Sequence, residues 1–152
     1  MLERDRQPSI GRMLPAGISI RAMLPEDLPS VAEVDAAAFE PIWQNTLEAL
    51  RGAYPQAMLS SVAESAEGVI GYQISTRNPL GAHLARLAVR PETQRRGVGQ
   101  ALVTDLIRQL ERQGLTRLTV NTQSDNLTSL SLYKRIGFKE TGERYPVYEL
   151  AI

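Results

Sequence analysis

Leu84-Ala85-Arg86-Leu87-Ala88-Val89-Arg90-Pro91-Glu92-Thr93-Gln94-Arg95-Arg96-Gly97-Val98-Gly99-Gln100-Ala101-Leu102-Val103 is the stretch on which the reading of this chain turns. Its first six residues are an almost unbroken apolar run, which reads as a buried strand. Pro91 stops that strand, because proline has no N–H to give to a ladder. Further on, Ala101, Leu102, Val103, Leu106, Ile107 and Leu110 recur at helical spacing, and Gly114 stands where a C′ glycine ends a helix. Between strand and helix lies a basic glycine turn, Gln94 to Gly99. Such a junction presents unpaired backbone N–H groups and the positive end of a helix dipole, so it predicts an anion site suited to phosphate.

The rest of the composition narrows the classes. The 152 residues suit one domain with a real core. Lysine plus arginine equals aspartate plus glutamate at 17 each, so no global field draws the chain to nucleic acid or to a membrane surface. There is no cysteine, which removes disulfides, thiolate metal sites and a cysteine nucleophile, and fits a reducing cytoplasm. With His83 as the single histidine, a histidine-built metal site is not expected. No apolar run approaches the roughly 18 residues of a membrane span. Residues 1–17 mix charge and proline without a signal-peptide core and read as an extension preceding a domain at 18–152.

Outward from the central stretch, Ile18, Ile20, Ala22 and Leu24 alternate with polar residues and suggest a first strand closed by Pro25. Asp27 is placed to cap a helix whose apolar side carries Leu28, Val31, Ala32, Asp35 and Ala38. Phe39-Glu40-Pro41-Ile42-Trp43 breaks that pattern, and a short helix follows to Gly52. Residues 57–64 and 69–77 predict a hairpin, and Asn78-Pro79-Leu80-Gly81 turns the chain into the central strand. Beyond Gly114, Leu118 and Val120 mark another strand. Leu127, Leu130, Tyr133 and Ile136 mark a helix ended by Gly137, and two strands close the chain around Pro146. The order β, α, α, β, β, β, α, β, α, β, β predicts one α/β (α+β) domain: a mixed, mostly antiparallel sheet of about seven strands flanked by about four helices. The crossovers after Gly97 and Asn126 call for parallel neighbours.

Two motifs in this order resemble the GNAT superfamily of acyl-CoA-dependent N-acetyltransferases over roughly residues 18–152. Gln94-Arg95-Arg96-Gly97-Val98-Gly99 matches the family's Gln/Arg-x-x-Gly-x-Gly/Ala signature at every fixed position. Asn126 and Leu132-Tyr133-Lys134-Arg135-Ile136-Gly137-Phe138 match its second motif. A Walker A loop is excluded, because no Lys-Ser or Lys-Thr follows the glycines. A dinucleotide fold is disfavoured, because the third glycine is missing.

The resemblance implies acetyl-CoA as acyl donor and a primary amine, on a small molecule or a protein, as acceptor. No metal, nucleic acid or membrane takes part, and an exposed final strand would support a homodimer. It places the pantetheine arm on the backbone of Leu87, Ala88 and Val89, where a bulge would aim the Val89 amide at the thioester oxygen as an oxyanion donor. It places the pyrophosphate on Gln94, Arg95, Arg96, Gly97, Val98, Gly99, Gln100 and Ala101, with Asn126 also holding CoA. Tyr133, on the same helix face as Asn126, takes the role of proton donor to the departing thiolate. As a side chain, Tyr133 also fits plain core packing on Leu130 and Ile136. His83 and Glu40 are the nearest candidates for a base, against the blander readings of a packing histidine and a solvated loop charge. Phe39 and Trp43 either shape the acceptor cleft or simply pack. Asn121 stands where the ribosomal-protein N-terminal acetyltransferases of the superfamily carry a glutamate. A non-catalytic acyl-CoA-binding module is the competing reading.

Overall fold

The apolar run becomes the centre of a sheet. The computed structural model describes residues 14, 16–79, 81–121, 127–140 and 147–151. The chain runs through β1 (Ser19–Ala22), α1 (Leu28–Ala38), α2 (Leu47–Ala53), β2 (Leu59–Ser65), β3 (Gly68–Asn78) and β4 (Gly81–Val89). It continues through α3 (Val98–Arg112), β5 (Arg117–Asn121), α4 (Leu127–Ile136), β6 (Lys139–Glu140) and β7 (Val147–Ala151). This is the order expected from patterning. The strands form one seven-stranded mixed sheet, β1-β2-β3-β4-β5-β7-β6. Among the described residues, no helix is long and apolar enough to cross a membrane. The expected extension at 1–17 lies almost wholly outside the described residues.

Two packed layers follow from which faces are apolar. On one side of the sheet, Leu28, Val31 and Val34 of α1 and Leu50 of α2 pack on Val62, Tyr72, Ile74 and Ala88. On the other, Val103, Leu106, Ile107 and Leu110 of α3 meet Ala82, Leu84, Leu118 and Val120, with Tyr133, Ile136 and Phe138 closing the end. Helix α3 shows its expected apolar stripe, and Gly114 at φ +76° accommodates the chain reversal after it.

Several expectations change. The only hydrogen-bonded parallel pair among the described strands is β4–β5, with Ala82, His83 and Leu84 facing Leu118, Thr119 and Val120. The second crossover, through α4, lands on β6, but β7 inserts between β5 and β6 and pairs antiparallel with both. The final strand is therefore interior, and the edges are β1 and the two-residue β6. β6 covers the final strand at Tyr148 and Glu149, where an exposed edge was expected to support a homodimer. Met23 is buried and Leu24 is 45% exposed, the reverse of the expected alternation, because the strand proper ends at Ala22. Asp27 makes no side-chain cap to α1. It accepts from the Leu24 N–H at 2.8 Å and from both terminal nitrogens of Arg21 at 2.8 and 2.9 Å. Gly52 sits inside α2 rather than ending it, and Thr46 caps that helix by accepting from the Ala49 N–H at 3.1 Å.

Strand β4 carries a bulge, but upstream of the expected place. Ser75 faces Leu84 and Ile74 faces Arg86, so Ala85 is the extra residue. One inserted residue reverses which face every later side chain takes. Leu84 points into the α3 layer, and Arg86, two residues on, points instead to α1.

Candidate active site

Beyond the bulge, the described residues record no further β4–β5 pairs. The registered β4–β5 pairs end at Leu84 with Val120, while β3 stays paired with β4 as far as Val89. The Arg90 N–H donates to the Ile70 carbonyl at 2.9 Å. In an antiparallel ladder, alternate residues turn their backbone groups to the same edge. Arg86 and Ala88 therefore face β3, and Leu87 and Val89 present theirs to the opposite edge, the side of β5. On that edge the Val89 carbonyl accepts from the Gln94 side chain at 3.2 Å, which ties the turn to the strand end. The Val89 N–H points to the same edge.

The turn itself is a 3-10 segment, Pro91–Arg96, leading into Gly97 at φ +79°. Gly97 is the N-cap of α3 and, lacking a side chain, caps nothing. The first helical hydrogen bond runs from the Ala101 N–H to the Gly97 carbonyl at 3.0 Å. Val98, Gly99 and Gln100 are thus the helix's free N–H groups, and Ala101, expected among the donors, is already engaged. Gly99 serves another end. A Cβ there would come within 3.1 Å of Leu132 Cδ2, so its bareness lets α4 sit close against the start of α3.

These features surround one cavity of about 280 Å³. Its floor is Leu87, Ala88 and Val89, and one wall is Gln94, Gly97, Gly99 and Gln100. The other walls are Ala38 and Phe39 of α1 and its flank, and Leu132 and Arg135 of α4. Arg135 escaped the sequence reading. It belongs to no invariant motif position, and only the packing of α4 on α3 brings its cation across from the glycine turn. Phe39, left undecided between cleft and packing, is a wall residue, and Trp43 is 44% exposed.

Other predicted residues are placed elsewhere. Val98 and Ala101 are buried against the sheet as side chains, leaving only backbone for a ligand. The Arg96 guanidinium reaches the Ala16 carbonyl at 3.4 Å. Asn126 lies outside the described residues, as do the side chains of Arg95 and Asn121. Tyr133 is 4% exposed in the core, its ring 5.4 Å from that of Phe138, and is not a wall of the cavity. Burial holds its phenol above the usual tyrosine range, so it stays protonated. His83 is not brought to the cavity. It is half-buried at the far end of β4, with Nδ1 2.8 Å from Thr119 Oγ1, and burial lowers its basicity. Six residues of strand separate it from Val89, roughly 20 Å at about 3.3 Å per residue. Glu40 is exposed beside Phe39.

The residues present fit an acyl-CoA. The backbone of Leu87 to Val89, lining the cavity, can pair with the amides of a pantetheine arm, and an uncapped helix start with a cation opposite can hold a pyrophosphate.

Comparison with known proteins agrees with this geometry. The chain is 29% identical to mycothiol acetyltransferase of Saccharomonospora viridis over 87% of its own length and 50% of that protein's. It is 27% identical to the [ribosomal protein bS18]-alanine N-acetyltransferase of Escherichia coli K12, over 63% of this chain and 72% of that one. The chain thus spans about half the length of the mycothiol acetyltransferase it matches. Among solved structures, the PaiA N-acetyltransferase of Thermoplasma acidophilum in complex with coenzyme A superposes with a TM-score of 0.77 at 20% identity, covering 89% of this chain and 99% of that one. The S18-alanine enzyme of Escherichia coli gives 0.75 at 23% identity, over 89% and 92%. A sequence model described as "Acetyltransferase (GNAT) family" matches residues 28–138, the span from the start of α1 to two residues past α4. With both motifs and that match in accord, the chain belongs to the GNAT acetyltransferase family.

Proposed function

We propose that this protein is an N-acetyltransferase that moves an acetyl group from acetyl-CoA to a primary amine by direct attack in a ternary complex. The observation that carries this reading is the end of β4, Leu87 to Val89, running into the uncapped start of α3 around one cavity. Acetyl-CoA supplies an activated thioester when bound. Leu87 and Val89 hold the pantetheine arm by backbone, while Val98, Gly99 and Gln100 donate N–H groups to the pyrophosphate. The Val89 N–H donates to the thioester oxygen as charge gathers there. Tyr133 donates its phenolic proton to the departing sulfur as the C–N bond forms and the C–S bond breaks, and the proton lost by the amine nitrogen passes through water to restore the phenol. The acceptor is a small-molecule amine or a protein N-terminus, the two classes named in the relatives.

Calorimetry with coenzyme A and a thiol-release assay over a broad amine panel test the reading. Wild type should bind CoA and release it with at least one amine. Tyr133→Phe should keep CoA affinity and lower turnover by about 10²-fold or more. No CoA binding would sink the reading. The burial of Tyr133 away from the cavity wall favours a second reading, a non-catalytic acyl-CoA-binding module. Binding without release on any amine would support that module instead.

A further inference from the structure

Asp35 is fully buried on α1, and its carboxylate is saturated by donors from three other parts of the chain. Oδ1 accepts from Tyr72 Oη at 2.5 Å and from Arg86 Nε at 2.9 Å. Oδ2 accepts from Arg86 Nη2 at 2.9 Å and from the Asn45 N–H at 2.6 Å. Arg86 does more than neutralise Asp35. Its Nη2 also donates to the Trp43 carbonyl at 2.6 Å, and its guanidinium carbon lies 3.8 Å from the centre of the Phe39 ring. The Gln44 amide adds bonds to the Ala36 and Phe39 carbonyls at 3.0 and 2.9 Å. Every residue of the α1–α2 connection that this cluster touches is thereby tied to α1 or to β4. One of them, Phe39, is a wall of the cavity.

An arginine can reach this place only because of the bulge. Without Ala85 as an extra residue, position 86 would share the face of Leu84 and point into the apolar α3 layer. The forked guanidinium can serve a carboxylate, a carbonyl and a ring face together, which a lysine cannot. A cluster needed only for stability would have no reason to spend its bonds on the segment that flanks the cavity, since buried ion pairs are often replaceable by apolar residues.

We propose that Arg86, clasped to Asp35, is a positioning residue that fixes the 39–45 segment and so holds Phe39 as a preformed wall of the cavity on the acceptor side. The proposal rests on the acetyltransferase reading for what the wall faces, but not for the clasp itself. The test uses the full chain with Arg86→Met, and the one tryptophan, Trp43, as reporter. Below the melting range, time-resolved anisotropy of Trp43 should show greater local motion in the variant, with unchanged circular dichroism. Coenzyme A affinity should change by less than about twofold. For the best amine of the panel, KM should rise roughly tenfold with a smaller change in kcat. If Arg86→Met does not fold, Arg86→Lys keeps the charge for Asp35 but loses the fork, and the same shifts are expected. Unchanged Trp43 motion in the folded variant overturns the proposal, as does a parallel loss of CoA affinity. Wild type that binds no CoA would remove the acetyltransferase reading, while the Trp43 result still judges the clasp.

Discussion

At the scale of single residues, Asp27 shows how a polar side chain can be legible in type but not in role. An aspartate before a helix reads as a cap, yet here it joins Arg21, which also pairs with Glu64 across β1 and β2 at 3.1 Å. The Arg21 hydrogen bonds hold the Asp27 carboxyl below the usual range, against the opposing pull of burial. Its contribution is therefore present above about pH 4 and is lost as pH falls through the lowered value. Asp27→Asn should cost about 1–3 kcal/mol at neutral pH, measured by denaturant unfolding, and much less at acid pH. An equal cost at both would mean that charge is not what binds Arg21. Asp35 poses the same problem more sharply. It sits on the apolar side of a helical pattern, where sequence offers no partner, because Tyr72 and Arg86 lie 37 and 51 residues away.

At the scale of elements, the strand–turn–helix unit was readable because its signals are local. Proline ends β4, glycine permits the left-handed turn, and helical spacing marks α3. Gly97 is the residue on which the unit bends. Its φ of +79° is costly for any side chain, although a Cβ would meet nothing within 4 Å. Gly97→Ala should lose about 1–2 kcal/mol from backbone strain alone, read as a lower unfolding midpoint. It should also weaken CoA binding, because the neighbouring N–H groups turn with it. A variant as stable as wild type would show that the turn is not held left-handed. The bulge at Ala85, by contrast, has no local signature. Nothing in Leu84-Ala85-Arg86 marks an inserted residue, since whether a residue is extra depends on the partner strand.

At the scale of the whole molecule, two tyrosines make the fold sensitive to alkali. Burial, aided at Tyr72 by the Asp35 carboxylate, raises both phenols above the ordinary value. The unfolded chain loses those protons above about pH 10, while the native state keeps them, so stability is full below that pH and falls beyond it. The thermal midpoint should be level up to about pH 9 and drop steeply past about pH 10, with a shallower drop in Tyr133→Phe. A flat profile into stronger alkali would contradict the burial of both rings. What the sequence by itself determined is the element order, the strand–glycine turn–helix junction and the family, because these rest on short-range spacing and motif chemistry. Only the tertiary structure decided that β7 lies between β5 and β6, that a bulge at Ala85 turns Arg86 toward α1, and that Phe39 and Arg135 complete the cavity. It also decided that Tyr133 is buried off the cavity wall and His83 far along the strand, because strand partners and facing helices are chosen by packing over long separations that no local pattern records.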